Sequence, residues 1–329
     1  MNYSDSIYGP VEINEPVLID LMATQAMQRL CGVLQHGITA LIGLTQPVTR
    51  FDHSVGVMLL VRRLGGTLDE QIAALLHDIS HTAFSHVIDF VVDGHDSQSY
   101  HEEWKEAHLL ASDVPDVLAR HGYAWRDFLH EEDYALLEQP APRLCADRLD
   151  YFLRDSRDLG LSTLDQIRTA LDHLGVFDGR IGVNDLEIAR WLAYTFIAAD
   201  KASWANFREV GLYEVTARAI KTAMQIGAIT EDDFWGTDDQ LWRKLHAIDD
   251  AEVQRQLRLV SQATRFEWDE ANPTFRVSTK LRTIDPDVLI DDAGYRPLST
   301  LDADFALFRS GYLSSNSGKW PMRVFPPLA

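Results

Sequence analysis

Histidines interrupt an otherwise apolar helical pattern between residues 50 and 86, and this stretch constrains the fold more than any other. It reads RFDHSVGVMLLVRRLGGTLDEQIAALLHDISHTAFSH and contains His53, His77, His81 and His86, with His101 a little beyond. Burying so many imidazole rings costs free energy unless something satisfies their ring nitrogens. We therefore expect helices that pack these rings around a shared bound group.

The dipeptide His77-Asp78 ends the apolar run QIAALL that begins at Gln71. Adjacent helical side chains point roughly 100° apart, yet both can reach an ion beside the helix. Imidazole and carboxylate together suit a divalent transition metal. His53, on an apolar helix that would pack alongside, could supply a third ligand, and a later acid the fourth. An isolated His-Asp pair is more often a satisfied polar pair at a helix end, but the surrounding histidines favour a metal site.

The segment from Leu144 to Asp158, LCADRLDYFLRDSRD, has the period of an amphipathic helix. Its apolar positions would face the core, and its polar face carries Asp147, Asp150, Tyr151, Arg154 and Asp155. A polar face of this kind usually meets solvent and forms ion pairs between successive turns.

Several separated blocks in the first half of the chain resemble one family. The blocks RFDHSVGV, LLHDISHTAFSH, HEE and ADRLDYFLRD, in the order H…HD…D, are similar to the HD superfamily of metal-dependent phosphohydrolases. The flanking residues resemble its deoxynucleoside-triphosphate triphosphohydrolase branch. The resemblance implies one divalent metal ion held by His53, His77, Asp78 and Asp147.

The resemblance also implies roles for further residues in these blocks. Arg50 and Arg148 would contact phosphate, and Gln35 would help to recognise a deoxyribose. Tyr151 and Asp155 are candidate sugar and base contacts. Catalytic roles in the pocket would fall to His81, His86, Asp89, His101 and Glu102. Imidazole titrates near neutrality, so these histidines could assist proton transfer.

Simpler interpretations remain open for some of these residues. Gln35 could be a polar residue at a helix end, and His86 could lie on the surface. Glu102 could merely complement a helix dipole in a first turn. His95 and His108 match no motif, and we interpret them as structural or exposed.

The sequence departs from the resembled branch at residues 201–215. That branch carries an arginine-rich stretch with a tyrosine and a histidine here, whereas this chain reads SWANFREVGLYEVTARAI from Ser203. Lys201, Arg208 and Tyr213 are the only residues that could replace it. The departure weakens the expectation of a full triphosphate-binding site.

We predict a mainly α protein in three parts. Residues 1–16 would form an N-terminal arm or strand, and residues 17–175 the HD core. Residues 176–329 would form a helical extension with a small mixed C-terminal region. Within that part, an Asp178-Gly179 hairpin, two long helices over 185–203 and 205–226, and an amphipathic helix over 250–263 are expected.

Composition limits the partners and the compartment. The chain has 30 basic and 50 acidic residues, a formal charge of −20, which argues against sequence-independent nucleic-acid binding by the surface as a whole. The acidic pairs of the later part would mark solvated helix starts and loops: Asp232-Asp233, Asp238-Asp239, Asp249-Asp250 and Asp291-Asp292. Cys31 and Cys145 form no disulfide framework, and no apolar run reaches the ~18 residues of a membrane span. We expect a cytoplasmic protein without membrane contact, and a homo-oligomer as family members often are.

The reaction implied by the resemblance is hydrolysis of a deoxynucleoside triphosphate to nucleoside and inorganic triphosphate. An HD phosphohydrolase acting on another phosphoester (a nucleoside monophosphate, a cyclic nucleotide or a specialised metabolite) fits the same ligands. A non-catalytic nucleotide sensor is the second alternative. The ligand set accepts Fe, Mn, Zn, Ni or Co, and Mg less readily.

Overall fold

The computed structural model describes residues 1–92, 94, 96, 98–290 and 294–327. His95 and the pair Asp291-Asp292, about which the sequence made predictions, lie outside the described residues. His108 is half-buried and its ring lies against Trp235, with 5.4 Å between the centroids.

The N-terminal residues form a β-hairpin. Strand β1 (Asn2–Asp5) pairs antiparallel with strand β2 (Gly9–Glu12), with Asn2 opposite Glu12. The Asp5 carboxylate closes the turn by accepting the backbone N–H groups of Ile7 (2.7 Å) and Tyr8 (3.0 Å). An aspartate that accepts backbone N–H groups two and three residues later is a common turn device.

Helices account for most of the chain up to residue 173, so the prediction of a mainly α protein is confirmed. They are α1 (Pro16–Met22), α2 (Gln25–Arg29), α3 (Ile38–Leu41), α4 (Arg50–Arg63), α5 (Leu68–Leu76), α6 (Val87–Val91), α7 (Tyr100–Glu103), α8 (Lys105–Ala111), α9 (Val114–Arg120), α10 (Ala146–Asp158) and α11 (Leu164–His173). Short 3-10 turns lie at Leu30–Gly32, Trp125–Phe128 and Glu131–Asp133.

The remainder mixes helices with short strands. Its elements are β3 (Leu174–Phe177), β4 (Arg180–Val183), α12 (Leu186–Ala202), α13 (Phe207–Gln225), a 3-10 turn (Glu231–Trp235), α14 (Asp238–His246), α15 (Ala251–Leu257), β5 (Arg265–Trp268), β6 (Phe275–Val277), β7 (Asp287–Leu289), β8 (Tyr295–Pro297), α16 (Leu298–Leu301), α17 (Ala303–Asn316) and β9 (Trp320–Phe325). One sheet has the order β3-β4-β7-β8, with β4 and β7 parallel, and the other has the antiparallel order β5-β9-β6.

Local sequence signals in this second part are mostly confirmed. Asp178 and Gly179 both have positive φ (48° and 74°) between β3 and β4, as the hairpin turn requires. The two long helices, α12 and α13, also form. The helix expected over 250–263 is shorter, because α15 ends at Leu257. Beyond it, the Thr264 hydroxyl donates to the Leu259 carbonyl at 2.7 Å, and the N–H of Ala263 donates to Ser261 Oγ, so the helical ladder does not continue.

Two apolar clusters form the interior, and both draw on residues before and after position 175. The first cluster joins Leu60 on α4 to Phe196 on α12 and Phe305 on α17. The second joins Phe84 and Phe90, near α6, to helices α13 to α15. Segments after residue 175 are therefore packed closely enough to reach any pocket formed by the first half.

Helices α4 and α10 approach closely at Gly56. A Cβ atom at this position would lie 1.9 Å from Arg154 Nη2 and 2.2 Å from Asp150 Oδ1. Only a glycine leaves room for these two buried side chains. The close approach brings His53, one turn earlier on α4, beside the polar face of α10.

We predict that Gly56→Ala lowers the free energy of unfolding by roughly 1–3 kcal/mol, since overpacking must displace the Asp150–Arg154 pair. The matched control is Gly311→Ala on α17, where a Cβ would meet no atom within 4 Å. Alanine there should be neutral or slightly stabilising. Urea unfolding of both variants measures the difference, and equal stabilities would contradict the packing argument.

Candidate metal centre

The four side chains proposed as metal ligands converge from three helices. His53 lies on α4, His77 and Asp78 follow α5, and Asp147 lies in the first turn of α10. Asp147 Oδ1 is 2.9 Å from His53 Nε2 and 3.6 Å from His77 Nε2. Asp78 carboxylate oxygens lie 3.6 Å from His77 Nε2 and 3.8 Å from His53 Nε2. Residues distant in sequence thus present nitrogen and oxygen donors to one point.

Hydrogen bonds on the far side of both imidazoles set their tautomers. His53 Nδ1 lies 2.7 Å from Asp150 Oδ2, and His77 Nδ1 lies 2.8 Å from the Ala74 carbonyl. Both partners only accept, so each Nδ1 carries a proton, and Nε2, which faces the carboxylates, is the atom that can coordinate a metal once it has released its own proton. His77 Nε2 is buried and has no hydrogen-bond partner in the described part of the chain. A cation satisfies this nitrogen and the carboxylates together, so these residues fit a divalent metal.

The electrostatics of the cluster also favour a cation. Burial opposes protonation of His77, but the charges of Asp78 and Asp147 outweigh it and raise the pKa of His77 to about 10. Burial likewise opposes ionisation of Asp78, yet Arg50 and His77 hold the pKa of that carboxyl well below its usual range. Burial opposes ionisation of Asp147 as well, but hydrogen bonds from His53 and His77 hold the pKa of that carboxyl well below its usual range. Both carboxylates are therefore ionised near neutral pH, as metal ligands must be.

Asp150 is a supporting residue that sequence reasoning did not assign. It is fully buried and orients His53, while its other contacts are Arg154 Nε at 2.7 Å and the Tyr8 hydroxyl at 2.8 Å. Arg154 in turn donates to Asp5 at 2.8 Å. The polar face of α10 is thus partly enclosed by the β1–β2 hairpin, and solvent does not reach Asp150. The spacing Asp147-x-x-Asp150 could have indicated this role, because residues three apart lie on the same face of a helix.

A cavity of about 410 Å³ adjoins the cluster and gathers most of the predicted pocket residues. Gln35, Arg50, His81, His86, His101, Glu102, Arg148, Tyr151 and Asp155 all line it. Asp89 does not line the cavity, but its Oδ2 lies 3.0 Å from His86 Nδ1. Sequence reasoning did not assign the other polar lining residues, which include Glu131, Glu138, Trp204, Lys280, Arg282 and Arg309.

Three histidine rings form a group inside the cavity. His81 stacks on His101 with 3.9 Å between centroids, and His86 packs edge-on to His81. Burial and the charge of Arg50 hold the pKa of His81 well below its usual range, and burial lowers the pKa of His101 to about 3. Burial raises the pKa of Glu102 to about 7, and the nearby charge of Glu131 adds to the shift. These histidines are neutral at physiological pH.

Arg50 is held in place by the turn that follows the histidines. It donates to Asp78 Oδ2 at 2.8 Å and to Ser85 Oγ at 3.1 Å. Phe84 and Ser85 adopt left-handed φ angles of 59° and 49°, a strained conformation for such residues. Asp238 accepts the Phe84 N–H at 2.7 Å and so helps to fix this turn. The expectation that Asp238 is solvated at a helix start is therefore wrong: it is buried, because it accepts the backbone N–H groups of Phe84 and Leu34.

Two expected substrate contacts already have protein partners. Asp155 accepts from Trp204 Nε1 at 2.6 Å and lies 2.9 Å from His36 Nε2. Arg148 pairs with Glu138 at 3.2 Å. Their contacts to a substrate stay predictions, as does the deoxyribose contact of Gln35, whose buried Oε1 has no partner in the described part of the chain.

Three residues were candidates to replace the arginine-rich stretch, and they lie in different places: Lys201, Arg208 and Tyr213. Tyr213 lines the cavity. Arg208 borders a second cavity, and Lys201 packs over the rings of Phe308 and Tyr312. Only Tyr213 of the three is therefore available to a ligand in the main cavity.

Comparison with known proteins decides the family. The HD domain profile matches residues 50–155, the span that contains all four candidate ligands. The chain is also 38% identical over 86% of its length to the metal-dependent phosphohydrolase cns2 of Cordyceps militaris, covering 84% of that protein. The chain belongs to the HD family of metal-dependent phosphohydrolases. The family and the His/Asp cluster together indicate a divalent metal ion.

More distant relatives agree with this assignment. The deoxynucleoside triphosphate triphosphohydrolase SAMHD1 homolog of Dictyostelium discoideum is 24% identical over 78% of this chain and 57% of its own. A crystal structure of a hypothetical protein from Aquifex aeolicus has the same fold, with a TM-score of 0.71 at 20% identity over 99% of this chain and 96% of that one. No helix of the described residues is long and apolar enough to cross a membrane.

The HD match leaves out two segments that reach the candidate centre. The β1–β2 hairpin contacts Asp150 from before residue 50, and the segment 280–283 lines the cavity from far beyond residue 155. The HD-domain span alone therefore does not account for the whole pocket.

We predict that Asp150→Asn weakens binding of a divalent metal 10- to 100-fold, because the Asp150 carboxylate orients the His53 ring and makes its Nε2 a stronger donor. Tyr8→Phe removes one hydrogen bond to Asp150 and should have a smaller effect in the same direction. Asp158→Asn, an exposed position on the same helix, is the matched control. Calorimetric titration of metal into each folded variant gives the affinities. Wild-type affinity in Asp150→Asn would refute the supporting role.

Proposed function

We propose that the protein hydrolyses nucleotide phosphoesters, and that its substrate is a deoxynucleoside triphosphate cleaved to nucleoside and inorganic triphosphate. The observation that carries this proposal is the arrangement of the cavity. Candidate metal ligands, neutral histidines and cationic side chains all face one enclosed volume of about 410 Å³. Such an arrangement suits a phosphorylated substrate and a hydrolytic reaction.

His53, His77, Asp78 and Asp147 would hold the divalent ion. The ion supplies Lewis acidity towards a phosphoryl oxygen and lowers the pKa of water. Arg50 lies beside Asp78 and presents a planar guanidinium to the same region, so it would bind phosphate oxygens there. The hydrogen bonds to Asp78 and Ser85 hold this guanidinium in place before substrate arrives.

The three pocket histidines would have two different roles, proton transfer and hydrogen bonding to phosphate. His86 has a carboxylate at hydrogen-bond distance, because Asp89 lies 3.0 Å from its Nδ1. A carboxylate stabilises the imidazolium, so His86 is the residue best suited to hold a proton during turnover. His81 and His101, with pKa values lowered by burial, would donate hydrogen bonds to phosphate oxygens as neutral rings.

One observation supports a sugar-containing substrate, and one relative supports a deoxynucleotide. The buried Oε1 of Gln35 has no partner in the described part of the chain and could accept a hydrogen bond from a sugar hydroxyl. The relative from Dictyostelium discoideum is a deoxynucleoside triphosphate triphosphohydrolase homolog. The expectations of a cytoplasmic location and of a homo-oligomer stay predictions.

A second candidate is hydrolysis of a different phosphoester, such as a nucleoside monophosphate. The chain is more similar to the phosphohydrolase of Cordyceps militaris, at 38% identity, than to the SAMHD1 homolog, at 24%. In addition, Lys201 and Arg208 lie outside the cavity lining and so do not replace the arginine-rich stretch. The first fact weakens the argument from the SAMHD1 homolog, and the second favours a substrate with fewer phosphates.

Product analysis tests the proposal. The metal-loaded protein is offered nucleoside tri-, di- and monophosphates, and we expect inorganic triphosphate from a deoxynucleotide. His77→Ala should lower the rate more than about 100-fold, because loss of a ligand exceeds the effect of losing its support. His130→Ala, with a side chain that is 67% exposed and is not part of the cavity lining, is the control. A chelator should abolish turnover in the wild type.

Other results would replace this proposal. Release of phosphate from a monophosphate, with triphosphates unchanged, would establish the second candidate. Nucleotide binding without turnover under any of the metals would indicate a sensor.

A further inference from the structure

The cavity receives cationic side chains from outside the HD match. Lys280 and Arg282 come from the segment before β7, and Arg309 comes from α17. Arg50 and Arg148, from within the match, also line it. Five cationic groups therefore surround one cavity in a chain whose formal charge is −20. Six acidic residues also line it, so the partners of each cationic group decide which of these groups is available to an anion.

Most of the arginines in the cavity have a carboxylate partner. Arg50 pairs with Asp78 at 2.8 Å, Arg148 with Glu138 at 3.2 Å and Arg309 with Asp285 at 3.9 Å. Arg282 differs. Its Nη1 donates to the Lys280 carbonyl at 3.2 Å and its Nη2 to the amide oxygen of Gln98. Within the described ranges, no carboxylate lies at ion-pair distance from this guanidinium.

Arg282 is nevertheless held firmly. Its backbone N–H donates to Asp200 Oδ2 at 2.9 Å, and the same oxygen accepts the Tyr312 hydroxyl at 2.6 Å. Asp200 is fully buried on α12. The segment that carries Arg282 is thus anchored to the core, while Gln98 fixes the side chain. A half-buried guanidinium with only neutral partners is stabilised when an anion binds it.

The positive charge of Arg282 affects the pKa values of two residues in the cavity, His86 and Tyr151. Burial lowers the pKa of His86, against the opposing effect of Asp89, and the charges of Arg50 and Arg282 add to the lowering. Burial raises the pKa of Tyr151, and Arg148 and then Arg282 oppose that rise. Arg282 therefore lies within electrostatic reach of the groups that would surround a substrate.

We propose that Arg282, together with Lys280, binds the phosphate groups of a polyphosphate chain beyond the phosphate that lies at the candidate metal centre. This inference rests on the proposed nucleotide hydrolysis. It assigns the proposed preference of the protein for triphosphates to Lys280 and Arg282. The segment 280–283 then performs the task for which the sequence at residues 201–215 lacks arginines. Selection between tri- and monophosphates depends on these two side chains.

Binding of inorganic ions tests the inference without requiring turnover. Inorganic triphosphate and inorganic phosphate are titrated calorimetrically into the metal-loaded protein. Arg282→Gln should raise the Kd for triphosphate about tenfold or more, as expected for loss of charge-assisted hydrogen bonds. The Kd for phosphate and the affinity for metal should change less than about twofold, because the metal-centre phosphate contact remains. Lys280→Gln should act in the same direction, and Arg282→Lys should restore part of the affinity.

Arg276→Gln is the matched control, since it removes the same charge from an exposed arginine that pairs with Glu270 on the surface. Unchanged triphosphate affinity in Arg282→Gln, or equal weakening of phosphate, would overturn the inference. Kinetics separate it from the proposed function. If no nucleotide is hydrolysed but triphosphate binding still depends on Arg282, the inference stands and the proposed function fails. If triphosphates are hydrolysed with the same KM in Arg282→Gln and wild type, the inference fails and the proposed function stands.

Discussion

The carboxylate of Asp150 is the point on which the candidate centre depends. It is completely buried, and burial of a charge is costly unless its lone pairs are filled. Here His53, Arg154 and Tyr8 fill them from α4, α10 and the N-terminal hairpin. Because these partners come from three elements, the network fixes how the elements pack. It also fixes the His53 tautomer, so fold and chemistry share one set of hydrogen bonds.

The histidines of this protein fall into two electrostatic environments. His77 lies beside Asp78 and Asp147, whose charges overcome burial and raise its pKa to about 10. His101, in the stacked group, has a pKa lowered to about 3 by burial. One residue type thus serves two purposes: an imidazole among carboxylates can exchange its proton for a metal ion that the carboxylates attract, whereas a neutral ring facing the cavity can donate to an anion. Separation of pKa values in this way is typical of active sites.

The sequence predicted the parts of the site that local spacing encodes. His77-Asp78 ends a short apolar helix and Asp147 opens another, and motif resemblance connected them with His53. Asp238 escaped prediction because it acts on Phe84, 154 residues away, through a single backbone hydrogen bond. Asp150 was assigned to a polar helix face, because no local pattern indicates that the hairpin covers it. Arg282 lies in a segment without regular structure, where no periodicity marks a side chain for a cavity. The chemistry of individual residues could thus be predicted, but contacts between residues far apart in the sequence could not.

The distribution of charge links these features. A chain with a formal charge of −20 repels a polyanionic nucleotide at long range, so attraction must come from groups close to the bound substrate. The pocket supplies them at several places: a carboxylate cluster suited to a divalent cation, Arg50 beside it, and Arg282 anchored through buried Asp200. Carboxylates that would repel phosphate on their own would be neutralised by a bound divalent ion, whose Lewis acidity would then favour a phosphate oxygen. The acidic residues that make the protein unfavourable to anions at large are thereby the ones that make one pocket favourable.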